Sequence, residues 1–434
     1  MAERLPTGKQ ADEALERARK EPLGSPAIGT ATTDLVEPCP ISRPRPAPPP
    51  AAAGVPLALA FSGGGFRASL AALGVLRFVA DAGLLDRVRY VSSVSGGSVA
   101  HGLFARHYSE LEGEEFKPEA LDRLVIEPFI DRISRHSLIW ALLLNAWKII
   151  GPKTRTQLLA DTFAEWFYGE NRLDQLSPSC RFIFNAADLT TGVRFGFERD
   201  TFGDYVVGRR ATDGTTLRLA DAVAASAAFP GAFAPLVLGD YDFPCQDGRV
   251  PKLLDGGAYD NLGLEAVDDL ARAVDNYPQA FLLAINAGGL FHTGRFGGLP
   301  FLRNLVRVNS LLYRQSTTLR MREMVGRFQA FEQARSQGQP IPDWGRFGVL
   351  FSLATTFKAP NPEWVDGRPD DDALRLKLAL VKTTFARFEQ ELCRQLVYRG
   401  WWLAGCSVAT FHRELVIELP RWRPLAGEVN GARG

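Results

Sequence analysis

Apolar and polar positions alternate along the chain in blocks whose lengths suit buried strands and amphipathic helices. Leu57–Phe61 is a short apolar run that fits a buried strand, and three glycines at 63–65 follow it. From about Arg67 to Ala82 apolar residues recur at helical spacing, and Gly83 is a helix stop signal. A second strand is predicted from about Val88 to Ser92, before a serine- and glycine-rich turn and a further helix. The pattern predicts a strand–helix–strand–helix unit.

The later part of the chain continues this alternation. Its predicted elements are a strand over Phe281–Ala287, a long helix over Leu302–Ser336, a strand over Phe347–Lys358, mostly helix over Asp371–Trp402, and a strand over Leu415–Leu419 that closes the sheet. Strands that alternate with helices favour a mainly parallel or mixed sheet covered on both faces. The sequence therefore predicts an α/β fold.

The first 53 residues differ in composition from the rest. Residues 1–53 are polar and then rich in proline and alanine, which predicts a disordered tail with a semi-stiff linker. No apolar segment of a secretory signal peptide is found there. Residues 54–425 are predicted to form one large domain, with a helical cap insertion at about 110–175.

Composition and charge narrow the class of protein only a little. The hydrophobic share of 46% is ample for a large core, and a net charge of +1 favours neither nucleic acid nor strong attraction to an anionic membrane. The five cysteines are odd in number and widely scattered, which predicts free thiols and a cytoplasmic protein. They are Cys39, Cys180, Cys245, Cys393 and Cys406.

A serine after the second predicted strand is the first candidate for chemistry. Ser95 lies in the segment Ser-Val-Ser-Gly-Gly, and a serine on a sharp turn between strand and helix exposes its hydroxyl near the positive end of the helix dipole. Ser93 stands where the motif G-x-S-x-G has its first glycine. A plain tight turn is thus an alternative, and Ser93 is a second candidate nucleophile. Ser95 is favoured because the glycine pair follows it directly.

Gly63, Gly64 and Gly65 are candidate anion-binding residues. Backbone N–H groups in such a loop can point at a developing oxyanion, and each donor contributes about 3–4 kcal/mol. A dinucleotide-binding loop is disfavoured because Ala68 stands where the last glycine of G-x-G-x-x-G would fall. Arg67 either pairs with a structural carboxylate or adds positive potential beside the anion site.

A carboxylate far downstream is the third candidate. Asp255 ends an apolar strand and begins the glycine turn of Gly256 and Gly257. In that position a carboxylate can contact a serine hydroxyl directly and act as its base. The alternative for Asp255 alone is an Asx-type turn.

These three motifs, in this order, resemble the patatin-like phospholipases, a family related to the catalytic domain of cytosolic phospholipase A. Segments 184–192 and 225–230 are also similar to this family, so the resemblance runs from about Leu57 to Asn286. It implies a three-layer α/β/α fold with a central, mostly parallel sheet. It also implies Ser95 as the nucleophile and Asp255 as its only side-chain partner. The remaining implied site residues are the oxyanion-hole donors Gly63, Gly64 and Gly65 and the supporting residues Arg67, Gly97, Gly256 and Gly257.

A Ser-His-Asp triad or a metal site would need other residues. Among the five histidines only His292, in a glycine-rich loop, is a plausible triad base, and a packing role is favoured for it. No H-E-x-x-H or paired C-x-x-C spacing occurs. No metal or other cofactor is expected.

An apolar stretch between the serine and the aspartate is a candidate lipid contact. Residues 137–150 are too few to span a bilayer, which needs about 20 residues. Trp140, Trp147 and Lys148 suit peripheral membrane contact through 138–150 or a lid over a lipid-binding cleft. The alternative is a helix buried within the cap.

Together these interpretations favour a serine acyl hydrolase that acts on a lipid ester, with phospholipid as the substrate that the resemblance implies. A lysophospholipase, a neutral-lipid lipase or an acyltransferase would use the same dyad. Two further hypotheses are a membrane-binding protein without turnover and a membrane-degrading effector that a small molecule or partner activates. No nucleic acid partner is expected.

Overall fold

The computed structural model describes residues 38–40, 49–145, 153–268, 280–289, 300–357 and 364–425, without the side chains of 300–306 and 309. Most of the predicted tail lies outside these residues. The division into a tail, a domain over 54–425 and a cap insertion therefore stays a prediction.

A mixed ten-stranded sheet forms the centre of the molecule. Its strands are β1 Leu57–Phe61, β2 Val88–Val94, β3 Arg181–Asp188, β4 Arg194–Phe197, β5 Thr201–Asp204, β6 Gly208–Ala211, β7 Leu236–Val237, β8 Lys252–Asp255, β9 Phe281–Asn286 and β10 Gly348–Ser352. The main path is β10-β9-β1-β2-β3-β4-β5-β6, and β8 pairs with β3 and β7. Pairing is parallel from β10 to β3 and antiparallel elsewhere. The parallel half brings the ends of β1 and β2 to the same edge.

Helices cover both faces of this sheet. They are α1 Gly65–Asp81, α2 Gly96–Gly113, α3 Pro118–Leu121, α4 Glu127–Arg135, α5 Leu138–Leu144, α6 Arg155–Phe163, α7 Leu219–Ser226, α8 Gly257–Asp260, α9 Glu265–Asp268, α10 Pro300–Ser336, α11 Asp372–Ala379 and α12 Gln390–Phe411. None of the helices in the described ranges combines the length and the apolar character that a membrane crossing requires.

The side chains of β1 show why the fold has three layers. Successive residues of a strand point to opposite faces of a sheet. Leu57, Leu59 and Phe61 accordingly join the larger core cluster, together with residues of α1, α2 and α12. Ala58 and Ala60 join a smaller cluster that includes Met324 and Phe328 of α10. The predicted α/β/α architecture is confirmed.

One predicted strand is wrong. Arg413–Leu415 is a short 3-10 turn, and no strand follows it before residue 420. Leu415 and Val416 are nevertheless buried in the main core cluster. Their apolar character reflects packing against the core, because a short apolar run does not by itself distinguish a strand from other buried chain.

The prediction of free thiols is wrong for two cysteines. Cys39 and Cys245 form a disulfide although 206 residues separate them. The link between β5 and β6 brings them together: the Cys39 N–H donates to the Tyr205 carbonyl at 2.8 Å, and the Cys245 N–H to the Val207 carbonyl at 2.9 Å. Such a pair depends on tertiary contacts that cysteine spacing does not show. The other three cysteines are free and buried.

Candidate active site

The turn between β2 and α2 holds Ser95 in an unusual backbone conformation. Its φ of 52° and ψ of −122° lie in a region that non-glycine residues rarely adopt. The residue after it must be small, since a Cβ at Gly96 would lie 2.1 Å from the Gly65 carbonyl oxygen. The Ser95 hydroxyl donates to Asp255 Oδ2 at 2.7 Å. The turn therefore places this hydroxyl against a carboxylate 160 residues away in the chain.

Hydrogen bonds from two neighbouring elements hold the turn in place. The Ser95 N–H donates to Ser226 Oγ at 3.0 Å, and the Ser226 hydroxyl donates to the Asn185 carbonyl at 2.6 Å. Asn185 Nδ2 also donates to Ser92 Oγ at 2.8 Å and to the Ser93 carbonyl at 2.9 Å. Side chains of strand β3 and helix α7 thus hold the Ser95 turn in place by hydrogen bonds.

The second candidate nucleophile has a different environment. Ser93 is fully buried, and its Oγ lies 2.7 Å from His101 Nδ1 and 2.9 Å from Ser98 Oγ. His101 stacks on Phe184 with the ring centroids 4.3 Å apart, and burial lowers its pKa to about 3. Ser93 does not line the cavity that Ser95 lines. The geometry favours Ser95 as the reactive serine.

Asp255 lies at the end of β8, almost fully buried. Its backbone N–H donates to the Ala228 carbonyl at 3.0 Å, and its Oδ1 accepts from the Gly257 N–H at 2.8 Å. Burial raises the pKa of the carboxyl to about 6, and the hydrogen bonds from Ser95 and Gly257 act in the opposite direction. A carboxylate with this pKa can accept a proton near neutral pH.

The glycine loop reaches the same place from β1. The Gly63 N–H donates to the Asn261 carbonyl at 2.9 Å, so it is not available to an oxyanion. Gly64 and Gly65 have φ values of +146° and +61°, a region that favours glycine. They stand at the N-terminus of α1, where backbone N–H groups and the helix dipole favour an anion. The structure thus leaves Gly64 and Gly65 as the stronger candidates among the three predicted donors.

Arg67 pairs with no carboxylate among the residues that the structure describes, which leaves the second of its two predicted roles. Its Nε donates to the Ala287 carbonyl at 2.9 Å, one terminal nitrogen donates to the Val381 carbonyl, and the other donates to Thr383 Oγ1 at 3.0 Å. Burial lowers its pKa to about 10, so the side chain stays charged at neutral pH. The guanidinium also lines the cavity beside Gly64 and Gly65 and adds positive potential there.

The supporting glycines are places of close backbone contact. A Cβ at Gly97 would lie 2.6 Å from the Ser62 carbonyl oxygen, and one at Gly256 would lie 2.3 Å from the Asn185 carbonyl oxygen. The first contact packs the start of α2, next to Ser95, against the end of β1, and the second packs the turn after Asp255 against β3.

One cavity of about 1660 Å³ is lined by Ser95, Asp255, Arg67 and the glycines at 63–65. Small-molecule pockets usually measure about 300–1,000 Å³. Its wall includes Ile139, Leu142 and Leu143 of α5 and residues of α10, and Asp255 is the one acidic residue that lines it among the described residues. The cavity therefore suits a large, mainly apolar ligand.

Helix α5 is exposed, in contrast to the buried helix that was one alternative for this segment. Trp140 is 65% exposed and Leu144 is 74% exposed. The end of the segment, residues 146–150, lies outside the described residues, as does His292. Among the residues that are described, no group of His, Cys, Asp or Glu side chains could hold a metal ion.

Sequence reasoning did not single out Asn185, Ser226 or Asn261 as individual site residues. Asn185 and Ser226 lie in the two segments that resemble the family, which was the available signal. Asn261 follows the Asp255 turn, and a Cβ at Gly63 would meet its Oδ1 at 2.3 Å. Only the fold shows that these three side chains surround the reactive pair.

Comparison with known proteins finds one matching family model. Residues 59–268 match the model described as patatin-like phospholipase. No curated protein sequence matches the chain.

Solved structures with similar chains include two structures of one human phospholipase and one structure of a bacterial protein. Human GIVD cytosolic phospholipase A2 aligns with a TM-score of 0.47 and 14% identity, over 83% of this chain and 60% of that one. Its complex with methyl gamma-linolenyl fluorophosphonate gives 0.46 and 14%, over the same shares. VipD from Legionella pneumophila gives 0.31 and 12%, over 80% and 67%. This chain thus spans about 60% of the human enzyme's length.

Proposed function

We propose that this protein is a serine acyl hydrolase that cleaves fatty acyl esters of phospholipids. The observation that carries the proposal is the 2.7 Å hydrogen bond from the Ser95 hydroxyl to Asp255, in the wall of a large cavity. The patatin-like phospholipase domain supports the same class of reaction. The likeness in family supports phospholipid as the substrate class.

The proposed reaction has two halves. Asp255 Oδ2 takes the proton of the Ser95 hydroxyl while Oγ attacks the acyl carbonyl carbon, and the Gly64 and Gly65 N–H groups stabilise the negative oxygen. The bond to the alcohol then breaks, and the leaving oxygen takes the proton from Asp255. A water molecule attacks the acyl-enzyme with Asp255 again as the base, which releases the fatty acid and restores Ser95. His101 has no part, because it is buried outside the cavity and stays neutral.

The rim of the cavity supports peripheral contact with a lipid surface. Large exposed apolar side chains stand on both helices that line it: Ile139, Trp140, Leu143 and Leu144 on α5, and Val308, Leu311, Leu312 and Leu319 on α10. Arg155 and Lys382 line the same cavity and are themselves exposed. Apolar side chains with basic neighbours suit the headgroup region of a bilayer. The substrate could then pass from the bilayer into the cavity without crossing water.

The test is fatty-acid release from mixed phospholipid vesicles, measured by mass spectrometry. Wild type is compared with Ser95→Ala and Asp255→Ala, and circular dichroism verifies that each variant is folded. We expect release by wild type and a loss of at least about a thousandfold in both variants. The products distinguish a phospholipase from a lysophospholipase, a neutral-lipid lipase or an acyltransferase.

A fluorophosphonate probe separates the ways in which this test can fail. Labelling of Ser95 without fatty-acid release would mean that the site is competent but that the substrate or activator is a different one, as for an activated effector. Neither release nor labelling would contradict the hydrolase proposal and favour a membrane-binding protein without turnover.

A further inference from the structure

One polar group in the cavity has no role in the reaction described above. Tyr313 of α10 lines the cavity together with Ser95 and Asp255. Its hydroxyl oxygen is buried and has no hydrogen-bond partner within the part of the chain that the structure describes. A buried hydroxyl without a partner costs about 1–3 kcal/mol, which makes it a candidate for a bond to a ligand.

The position of the ring ties Tyr313 to the aspartate. A Cβ at Gly257 would lie 2.7 Å from Tyr313 Cε1, 2.7 Å from Asn261 Oδ1 and 3.0 Å from Asp255 Oδ1. The ring edge of Tyr313 and the Asp255 carboxylate therefore both border the same small space beside Gly257. Phe229, another cavity residue, holds the ring from a second side, with the centroids 6.1 Å apart.

In the reaction proposed above, this location is on the side of Ser95 where the leaving group departs. The glycine loop supplies N–H donors to the carbonyl oxygen from β1, whereas Asp255 returns its proton to the leaving alcohol oxygen. A donor next to Asp255 is thus suited to the leaving oxygen and not to the oxyanion. Burial and the charge of Asp255 both raise the pKa of the Tyr313 phenol well above its usual range, so the phenol stays a neutral donor.

We propose that the Tyr313 hydroxyl donates a hydrogen bond to the leaving-group oxygen of the scissile ester. The inference rests on the proposed function of Ser95 and Asp255. As the bond from the carbonyl carbon to the alcohol oxygen breaks, that oxygen gains negative charge and takes the proton from Asp255. Tyr313 stabilises this charge and keeps its own proton, so no further acid or base is needed.

The test compares two esters of the same fatty acid. One is a p-nitrophenyl ester, whose leaving group departs without help, and the other is a glyceryl ester, whose leaving group needs a proton. Tyr313→Phe keeps the ring and removes only the hydroxyl. We expect kcat on the glyceryl ester to fall about tenfold to a hundredfold, while KM and the rate on the p-nitrophenyl ester change less than about threefold.

Tyr259→Phe is the matched control. Its hydroxyl bonds to Glu265, its ring lies under the Arg320 guanidinium at 5.2 Å, and it does not line the cavity. We expect equal, small effects of this change on both esters. Equal losses on the two esters in Tyr313→Phe, or no loss at all, would overturn the Tyr313 inference and leave the dyad intact. A wild-type protein that hydrolyses neither ester and does not label at Ser95 would overturn the proposed function itself, and the Tyr313 role with it.

Discussion

The wall of the cavity near Ser95 and its rim at α5 are built in opposite ways. Ser95, Gly96 and Asp255 are buried, and several of their backbone contacts leave no space for one added carbon atom. Trp140 and Leu144 of α5 are large apolar side chains that face solvent. Both regions border the same cavity. The wall near Ser95 is packed inside the protein, whereas the rim at α5 exposes apolar side chains to solvent.

The difference assigns two separate tasks to the two regions: the wall positions the reacting atoms, and the rim can bind an apolar partner. The proposed proton transfer from Ser95 would need atoms held within a few tenths of an ångström, and packing and hydrogen bonds hold the buried turn in place. An exposed apolar patch beside a cavity is typical of an interaction site, because burying it against an apolar partner is favourable. Changes at the wall should therefore alter the chemical step, and changes at the rim should alter contact with lipid.

The largest expected effect comes from one added methyl group at the wall. In Gly96→Ala the new Cβ would lie 2.1 Å from the Gly65 carbonyl oxygen, so either the Ser95 turn or the glycine loop must move. We expect kcat to fall at least about a hundredfold, because a displacement of about 1 Å is enough for such a loss. Differential scanning calorimetry should show a destabilisation of about 1–3 kcal/mol.

Gly326→Ala in α10 is the control for that change. A Cβ there meets no atom within 4 Å, so activity should stay as in wild type and stability should rise by about 0.5–1 kcal/mol. Equal activity of Gly96→Ala and wild type would mean that the packing around Ser95 does not position it for reaction.

The next largest effect is a dependence of kcat/KM on pH that arises from Asp255 in the cavity wall. Asp255 must be ionised to accept the serine proton, and its pKa in the folded protein is about 6. We expect kcat/KM on a soluble ester to rise about tenfold per pH unit below 6 and to level off above it. A flat profile between pH 4.5 and 7.5, in a protein that remains folded, would contradict the role of Asp255 as the base.

The same carboxyl links stability to pH. Its pKa in the fold lies above the ordinary value of 3.8, so its neutral form favours the folded state. This contribution is complete below about pH 4 and is lost as pH rises through about 6, a change of about 3 kcal/mol. Asp255→Asn, which stays neutral, should therefore be more stable than wild type at pH 7.5 and of similar stability at pH 4. A loss of stability at both pH values would show that the hydrogen bonds of the carboxylate outweigh the cost of its burial.

The smallest effect is expected at the rim. The double variant Trp140→Ser with Leu144→Ser removes two exposed apolar side chains, and we expect about a tenfold or greater loss of binding in vesicle sedimentation. Hydrolysis of a soluble short-chain ester should not change. Ile417→Ser is the control, because Ile417 is 92% exposed but lies on neither of the two helices that line the cavity. If the control loses as much binding as the double variant, the rim has no special role.

Local patterns in the sequence predicted most elements that carry the site. The strand before the glycine loop, the helix after it and the strand before Ser95 agree with β1, α1 and β2 within a few residues. These elements follow from apolar periodicity and glycine breaks, which act over a few neighbours. The strand over 415–419 was wrong because burial against a core and pairing in a sheet give the same apolar signal.

The sequence by itself determined which residue types could perform acyl transfer and in which order they stand. The motifs around Ser95 and Asp255 carry that information in a few adjacent letters. Only the tertiary structure decided that Gly63 donates to Asn261, that Cys39 pairs with Cys245, and that Tyr313 and Asp255 both lie beside Gly257. The reason is physical: a hydrogen bond or a disulfide depends on distance in space, and these partners come together only when strands and helices remote in sequence pack against one sheet.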